Sequence, residues 1–336
     1  MNTQNLSSDN YVATENMLQD YQGIIEASSF PTNTNVIKFN KGDVLLSNIR
    51  PYLKKVWFAE KNGGCSADVF VFKALSACIP DFLHYIIAND RFINFAMSGA
   101  KGVKMPRGDK EQMKTYKIGL PSIEEQKKIA KLLSLLDERI ATQNKVIYKL
   151  QSLIKGISSK IFASIQGIEY RMGDIASITN GNSNVQDAVA EPNDGLYPFF
   201  DRSEDIKYLS TFLFDKEAII YPGEGAEFIP RYFKGKFALH QRCYAIFDFN
   251  EIINAQYLYF YLKTQNSYFV RNAVGSTVPS LRLDTFQKFK VVVPPKEIQY
   301  SVSLCLSLLE QKFKVENEIL QNLLKQKQYL LRQMFI

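Results

Sequence analysis

The sequence predicts an α+β chain: two strand-rich modules in pseudo-twofold arrangement, separated by two long antiparallel coiled-coil helices. Three observations lead there. The chain resembles itself at a very long period, it carries two matched apolar heptads, and the stretches between them read as short strands and turns.

The repeat is plainest where Lys117-Ile118-Gly119-Leu120-Pro121 is echoed by Lys290-Val291-Val292-Val293-Pro294, 173 residues later. The same offset pairs Gly102 with Gly275, Pro106 with Pro279, Glu124 with Glu297, Gln126 with Gln299 and Phe162 with Phe335. A period this long marks two half-molecules rather than a solenoid of short units. The order is module, helix, module, helix, with boundaries at 1–120, 121–165, 166–293 and 294–336.

Each helix is written as a heptad. In residues 122–163, Ile129, Leu133, Leu136, Ile140, Gln143, Ile147 and Leu150 step alternately by four and three, and the pattern runs on to Ile161. That is the 3.5-residue period of a coiled-coil seam. Ser122 and Glu125 form a capping-box start, in which the serine covers free amides and the glutamate reaches back. A helix of this length is a rod of roughly 60 Å. The second seam runs from Val302 through Leu306, Leu309 and Phe313 to Met334. Folding the two back on each other buries both seams and brings the polar seam residues Gln143 and Glu316 close at mid-rod. Apolar residues off the seam (Leu132, Leu135, Val146, Leu153) are left for partner proteins or for the modules' own surfaces.

Within the modules, Asp43–Leu46, Val69–Phe72 and Ala218–Tyr221 have the β-branched and aromatic character of strands, and Phe82–Ala88 and Ala255–Lys263 that of short helices. Polar loops carry the candidate DNA contacts. In the first module these are Asn48, Arg50, Tyr52, Lys54 and Lys55 in one loop and Lys101, Lys104 and Arg107 in another. In the second they are Arg202, the local cluster Arg231, Lys234 and Lys236, then Arg242, Ser276 and Thr277. Arginine grips guanine edges in bidentate fashion, asparagine does so with adenine, and lysine neutralises phosphate.

The net charge of +7 permits a polyanionic partner. It is unevenly spread: +3 over residues 1–120, +4 over 121–163, −2 over 164–295 and +2 over 296–336. Contacts in the second module must therefore come from local clusters. The four cysteines are scattered without a CxxC pair, which argues against zinc and against a disulfide scaffold and reads as buried free thiols. The two histidines, His84 and His240, sit in patterned aromatic stretches and read as structural. HExxH, the P-loop GxxxxGK[ST] and GxGxxG after a strand are all missing, and so are the Asn-Pro-Pro-Tyr and Asp-Pro-Pro-Tyr tetrapeptides of amino-methylating DNA enzymes. No apolar run approaches the ~18 residues of a membrane span, and the start lacks a signal-peptide pattern, so a cytoplasmic protein without membrane contact is expected.

These residues resemble the specificity subunit of type I restriction-modification systems. Pro121-Ser122-Ile123-Glu124-Glu125-Gln126 with its long helix is similar to that family's central conserved region, and Pro294-Pro295-Lys296-Glu297-Ile298-Gln299 to the distal one. Tyr11 to Met17 and Ser47-Asn48-Ile49-Arg50-Pro51-Tyr52 look like one subtype of target recognition domain. The resemblance implies a non-catalytic subunit with no cofactor. Each module would read one half of a bipartite double-stranded DNA target, with the helix pair as a ruler. Two modification (methyltransferase) subunits would sit on the conserved helices, and restriction (translocase) subunits would join the full complex. The second module opens with Tyr170 to Ile178, which looks like the family's usual opening; the equivalent in the first module falls before residue 1. The first module is therefore expected to lack its initial strand and to expose an edge. The alternative is a truncated or silent cassette that acts only as a coiled-coil assembly partner, without DNA readout.

Overall fold

A computed structural model of the chain describes residues 6–32 and 34–335. Its contacts divide it into two units: Met1–Asn144 with Glu318–Ile336, and Lys145–Asn317. The first module contains β1 (Tyr11–Val12), β2 (Ile37–Phe39), β3 (Val44–Ser47), β4 (Val56–Phe58), β5 (Gly63–Cys65), β6 (Val69–Phe72), α1 (Pro80–Ile87), α2 (Asp90–Ser98) and α3 (Lys110–Lys114), and leads into the long α4 (Ile123–Ser164). The second contains β7 (Ile168–Arg171), α5 (Met172–Ile175), β8 (Ser177–Asn180), β9 (Tyr197–Phe200), β10 (Lys207–Leu209), β11 (Phe214–Pro222), β12 (Arg231–Leu239), β13 (Cys243–Phe247), α6 (Ala255–Lys263), α7 (Asn266–Asn272), α8 (Leu283–Gln287) and β14 (Lys290–Val293), and leads into α9 (Lys296–Met334).

The first module has two three-stranded sheets, β1-β5-β2 and β4-β3-β6. The second has a six-stranded sheet, β10-β9-β12-β11-β13-β8, and the pair β14-β7. The same strand organises both. All four residues of β3 are buried, because alternate side chains enter different cores. Val44 and Leu46 face the helices α1 and α2, while Leu45 packs with Phe39 and Trp57. In β11, Ile219 and Tyr221 face α6, while Ala218 and Ile220 pack with Phe200 and Phe237. A strand covered on both faces reads as a continuous apolar run.

Within each unit a long helix from the other half of the sequence closes the core. Phe335, just past the end of α9, sits 5.0 Å from the Phe82 ring of α1. Phe162, near the end of α4, lies 5.4 Å and 5.7 Å from Tyr261 and Tyr257 of α6. In the first unit Asp137 on α4 pairs with Lys327 on α9 at 2.5 Å, so the beginning of one helix lies along the end of the other. Ser122 Oγ accepts from Glu125 N at 3.3 Å, as a capping box requires. Of α4 only Gln126, Ala130 and Leu133 are buried: Gln126 bonds to Ile79 N and Ala77 O, and Ala130 and Leu133 enter the first module's core beside Phe82 and Leu331. Glu316 on α9 is buried and pairs with Lys312 at 2.5 Å.

One expectation, that of four buried thiols, is modified. Cys65 and Cys243 are buried, but Cys78 is only partly covered and Cys305 is exposed, because the thiol of Cys305 falls on the outer side of α9. And Lys117–Leu120 forms no strand, although its repeat partner Lys290–Val293 is β14, paired antiparallel with β7. Among the described residues the first module holds no counterpart of β7 to pair with it.

His84 stacks on Phe58 with ring centroids 5.2 Å apart. Burial pushes its pKa down to about 4, with the Lys327 cation adding to the effect and Asp137 opposing it. Above the ordinary histidine value the ring is neutral whether folded or not. As pH falls from about 6.5 towards 4, the unfolded chain takes up the proton first, so stability is lost across that window. A His84→Phe variant is expected to flatten this part of a urea-midpoint-against-pH profile; an unchanged slope would assign the loss to other groups.

Candidate nucleic-acid interface

In the first module the two basic loops of the sequence lie side by side. Ile49 and Lys101 each form a β-bridge with Arg107. Arg50 N donates to Pro106 O at 2.8 Å, Gly108 N to Asn48 O at 3.1 Å, and Asn48 N to Asp68 O at 2.8 Å. A turn from Gly102 to Met105 stands out between them; Val103 is fully exposed, Met105 half-exposed, and Lys104 exposed. Gly102 has φ +95, and an added Cβ would meet Met105 O at 3.4 Å.

The second module builds the same constellation at offsets of 173 to 175. Glu224 and Val274 each form a β-bridge with Ser280. Gly225 N donates to Pro279 O at 3.0 Å, Leu281 N to Gly223 O at 2.8 Å, and Gly223 N to Arg242 O at 2.9 Å. The turn from Gly275 to Val278 is tighter still: Gly275 has φ +104, and a Cβ there would meet Val278 O at 2.9 Å. A glycine is needed at this turn in both halves, since the left-handed region is costly for other residues. Ser276 and Thr277, both exposed, occupy the tip that Val103 and Lys104 occupy in the first module.

The side chains divide into those held by the fold and those left outward. Arg107 pairs with Asp68 at 3.2 Å, and Arg242 with Glu224 at 2.8 Å; both arginines remain more than half exposed. Lys101 pairs with Asp109 at 2.8 Å, and this hydrogen bond holds the lysine pKa up and the carboxyl below its usual range. Lys54 is taken by Asp90 at 2.8 Å, and Lys55 Nζ donates to Thr14 O at 2.7 Å. Tyr52 is half-exposed on a short 3-10 turn, Pro51–Leu53. Arg50 and Lys54 flank that turn with φ of 51 and 54, a strained conformation for residues with a Cβ and one that clusters at functional sites. Asn48 Oδ1 and Arg50 Nε are buried without a hydrogen-bond partner, which is rare in folded proteins.

The basic cluster on β12 is dispersed. Arg231 donates to Ser203 O at 2.9 Å and to Asp201 O, and stacks 5.0 Å from the Phe200 ring. Burial lowers its pKa from an ordinary value far above neutrality. Lys234 and Lys236 lie opposite Glu217 and Asp215 in the ladder, five and seven residues along β11 from Pro222, roughly 16 and 23 Å at the rise of a strand. Arg202 is exposed and acts electrostatically on His240. His240 Nδ1 accepts from Arg242 N at 3.2 Å, and burial lowers its pKa. The loop 181–183 joins this end as well: Gly181 N donates to Cys243 O at 3.2 Å, and Gln241 N to Ser183 O at 3.2 Å. Asn180 Nδ2 donates to Gln241 O at 3.2 Å. The sequence reading missed Asn180, Ser183, Gln241 and Asp68; being polar and uncharged or acidic, they carried no signal for a polyanion. Among the described residues no three metal-binding side chains cluster, and no helix is long and apolar enough to cross a membrane.

A family model described as "Type I restriction modification DNA specificity domain" matches residues 5–152 and again 168–325. The chain is 29% identical over 142 residues to the specificity subunit of the type I restriction enzyme EcoDI of Escherichia coli, covering 42% of this chain and 31% of that one. It is 34% identical over 152 residues to the MjaVIII specificity subunit of Methanocaldococcus jannaschii, covering 45% and 34%. Each match thus spans about a third of the relative's length. In three dimensions the chain resembles a type I restriction-modification S subunit from M. genitalium, with TM-score 0.69 and 18% identity over 97% of this chain and 88% of that one. A chain of another type I restriction-modification system aligns with TM-score 0.59 at 18% identity, over 96% and 90%; both likenesses concern the fold. With two consecutive matches that together take in most of its length, the chain belongs to the type I restriction-modification DNA specificity domain family.

Proposed function

We propose that this chain reads a bipartite double-stranded DNA target, one half with each module, and supplies no catalytic group of its own. The observation that supports this most is the repeated loop constellation: Asn48–Arg50 beside Lys101–Gly108 in one module, Gly223–Gly225 beside Val274–Leu281 in the other, joined by matching backbone bonds. Rigid loops at equivalent places, with different side chains at their tips, suit two readers of different sequences.

Within each set the roles follow from exposure and commitment. Arg50 and Asn48 read bases in the first module, with Tyr52 beside them. Lys104 and Lys101 contact phosphate, and Arg107 keeps to the rim through Asp68. In the second module Ser276, Thr277 and Arg242 take the corresponding places and Arg202 flanks them. Lys54, Lys55 and Arg231 hold the loops in shape, and Lys234 and Lys236 add to the general field. Methylation and restriction belong to partner subunits. The exposed apolar side chains of the long helices, among them Leu132, Leu135, Leu153, Leu304 and Leu308, are the surface offered to modification subunits.

A Lys104→Ala variant is expected to weaken binding to every duplex alike and to reduce the slope of log affinity against log salt by about 1. A titration series in potassium chloride, on a cognate and an unrelated duplex with modification subunits present, measures this. Binding of the unaltered complex that is insensitive to salt would overturn DNA readout and favour a purely structural assembly role.

A further inference from the structure

We propose that Gln241 and Asn184, with DNA reading by this chain as the premise, recognise adenine edges in the half-target of the second module. Three backbone segments meet there. Ser183 and His240 form a parallel β-bridge, with Ser183 N donating to Leu239 O at 3.1 Å and Gln241 N to Ser183 O at 3.2 Å. Two glycines let the segments close on one another. A Cβ on Gly181 would meet Leu239 O at 2.0 Å, and one on Gly223 would meet Arg242 O at 2.1 Å, so neither position has room for a side chain. The result is a ribbon of 181–184 beside 239–242 beside 223–225. Its last segment is bonded to the turn 274–280 through Gly225 N and Pro279 O and through the Glu224–Ser280 bridge. A backbone tied this closely presents its outward side chains at fixed places, which the reading of base edges requires.

What the ribbon turns outward is largely uncharged. Asn180, Asn182, Asn184 and Gln241 are all exposed. Asn180 Nδ2 is committed to Gln241 O at 3.2 Å, which helps hold that residue in place, and Asn182 Oδ1 accepts from Ser183 Oγ at 3.2 Å. Gln241 and Asn184 stand one residue past the Ser183–His240 bridge on their two segments. Among the described residues their side-chain amides have no hydrogen-bond partner. Arg242 beside them gives its guanidinium to both oxygens of Glu224, at 2.8 and 3.0 Å, and residues 164–295 are slightly acidic as a whole. Attraction for phosphate is therefore weak here, and discrimination falls to neutral groups that both donate and accept. A carboxamide does this: its NH2 donates to adenine N7 while its carbonyl accepts from N6, whereas guanine offers acceptors at both N7 and O6.

Methylation sequencing of cells carrying the partner subunits tests this with four chains: unaltered, Gln241→Ala, Asn184→Ala and Gln241→Glu. Each alanine variant is expected to relax one adenine position, both in the same half of the target, with discrimination falling roughly fivefold to a hundredfold. The other half and the gap should persist. Gln241→Glu is expected to move the preference at its position from adenine towards cytosine, whose N4 amino group donates to a carboxylate. A role confined to holding the ribbon in shape would not change which base is preferred. The assignment is overturned if either alanine variant leaves the motif unchanged, if the two act in different halves, or if Gln241→Glu still prefers adenine. Loss of all methylation in the alanine variants overturns it as well, since the amides are then structural. A split motif in the unaltered chain that all three variants share removes these two residues and leaves DNA reading standing. A motif that does not depend on the unaltered chain removes both.

Discussion

Replacing Gln299 with leucine, or Gln126 with leucine, is expected to lower stability by about 2–4 kcal/mol, the largest effect of any single polar substitution outside the loops. Both glutamines lie in the first turn of a long helix, 173 residues apart, and both are fully buried. Gln126 Oε1 accepts from Ile79 N at 2.9 Å, and its Nε2 donates to Ala77 O and Pro121 O at 2.9 and 3.0 Å. Gln299 Oε1 accepts from Asn254 N at 2.7 Å, and its Nε2 donates to Ile252 O and Pro294 O at 2.9 and 2.8 Å. One amide thus ties the start of the helix to the start of α1 or α6 and fixes the angle at which the module leaves it. Leucine fills the volume but orphans three backbone groups, each of which costs about 1–3 kcal/mol when fully buried; access to water at some of them keeps the total towards the low end of their sum. Urea unfolding, with amide exchange to assign the loss to one unit, measures the effect. A change below about 0.5 kcal/mol, the scatter of surface substitutions, would show that the module is held by its apolar contacts alone.

Arg50→Ala is expected to change which DNA sequence is methylated in one half of the target while leaving the other half and the gap between them as they were. The backbone of Arg50 is pinned to Pro106 and strained at φ 51, and its Nε is buried without a partner. The side chain as a whole is partly exposed, and a bidentate arginine–guanine pair discriminates by about 1–3 kcal/mol, roughly fivefold to a hundredfold or more. The variant should therefore methylate sites degenerate at one position, at roughly unaltered rates. Methylation at an unchanged motif would remove Arg50 from the reading set; loss of all methylation would make its role structural.

The long helices, the cap of α4 and the strands β3, β6 and β11 were legible because they are local patterns: a 3.5-residue seam, a Ser-x-x-Glu start, an apolar run. The repeat was legible because it needs only counting. Which loops meet was not, since Ile49 and Arg107 are joined by a bridge across 58 residues that no periodicity announces. A signal did exist: the pairing of Gly102 with Gly275 and Pro106 with Pro279 marks a turn built twice. The basic run Arg231, Lys234 and Lys236 could not be placed from the sequence for a different reason. In a strand, position along the ladder decides location, and the register sets these residues against Ile220, Glu217 and Asp215, so that Arg231 lies near the loop end and the two lysines away from it. The 173-residue pairing of Gln126 with Gln299 was visible, but a glutamine in a first helical turn looks like a surface residue until the loop packed over it is known.

Single-molecule methylation sequencing of cells carrying the partner subunits tests the central claim most directly, comparing the unaltered chain with one in which Gly102–Arg107 is replaced by Gly275–Ser280. Two equivalent readers predict a split motif whose one half changes while the other half and the spacing persist. An unsplit motif, or a change that reaches both halves together, would contradict it.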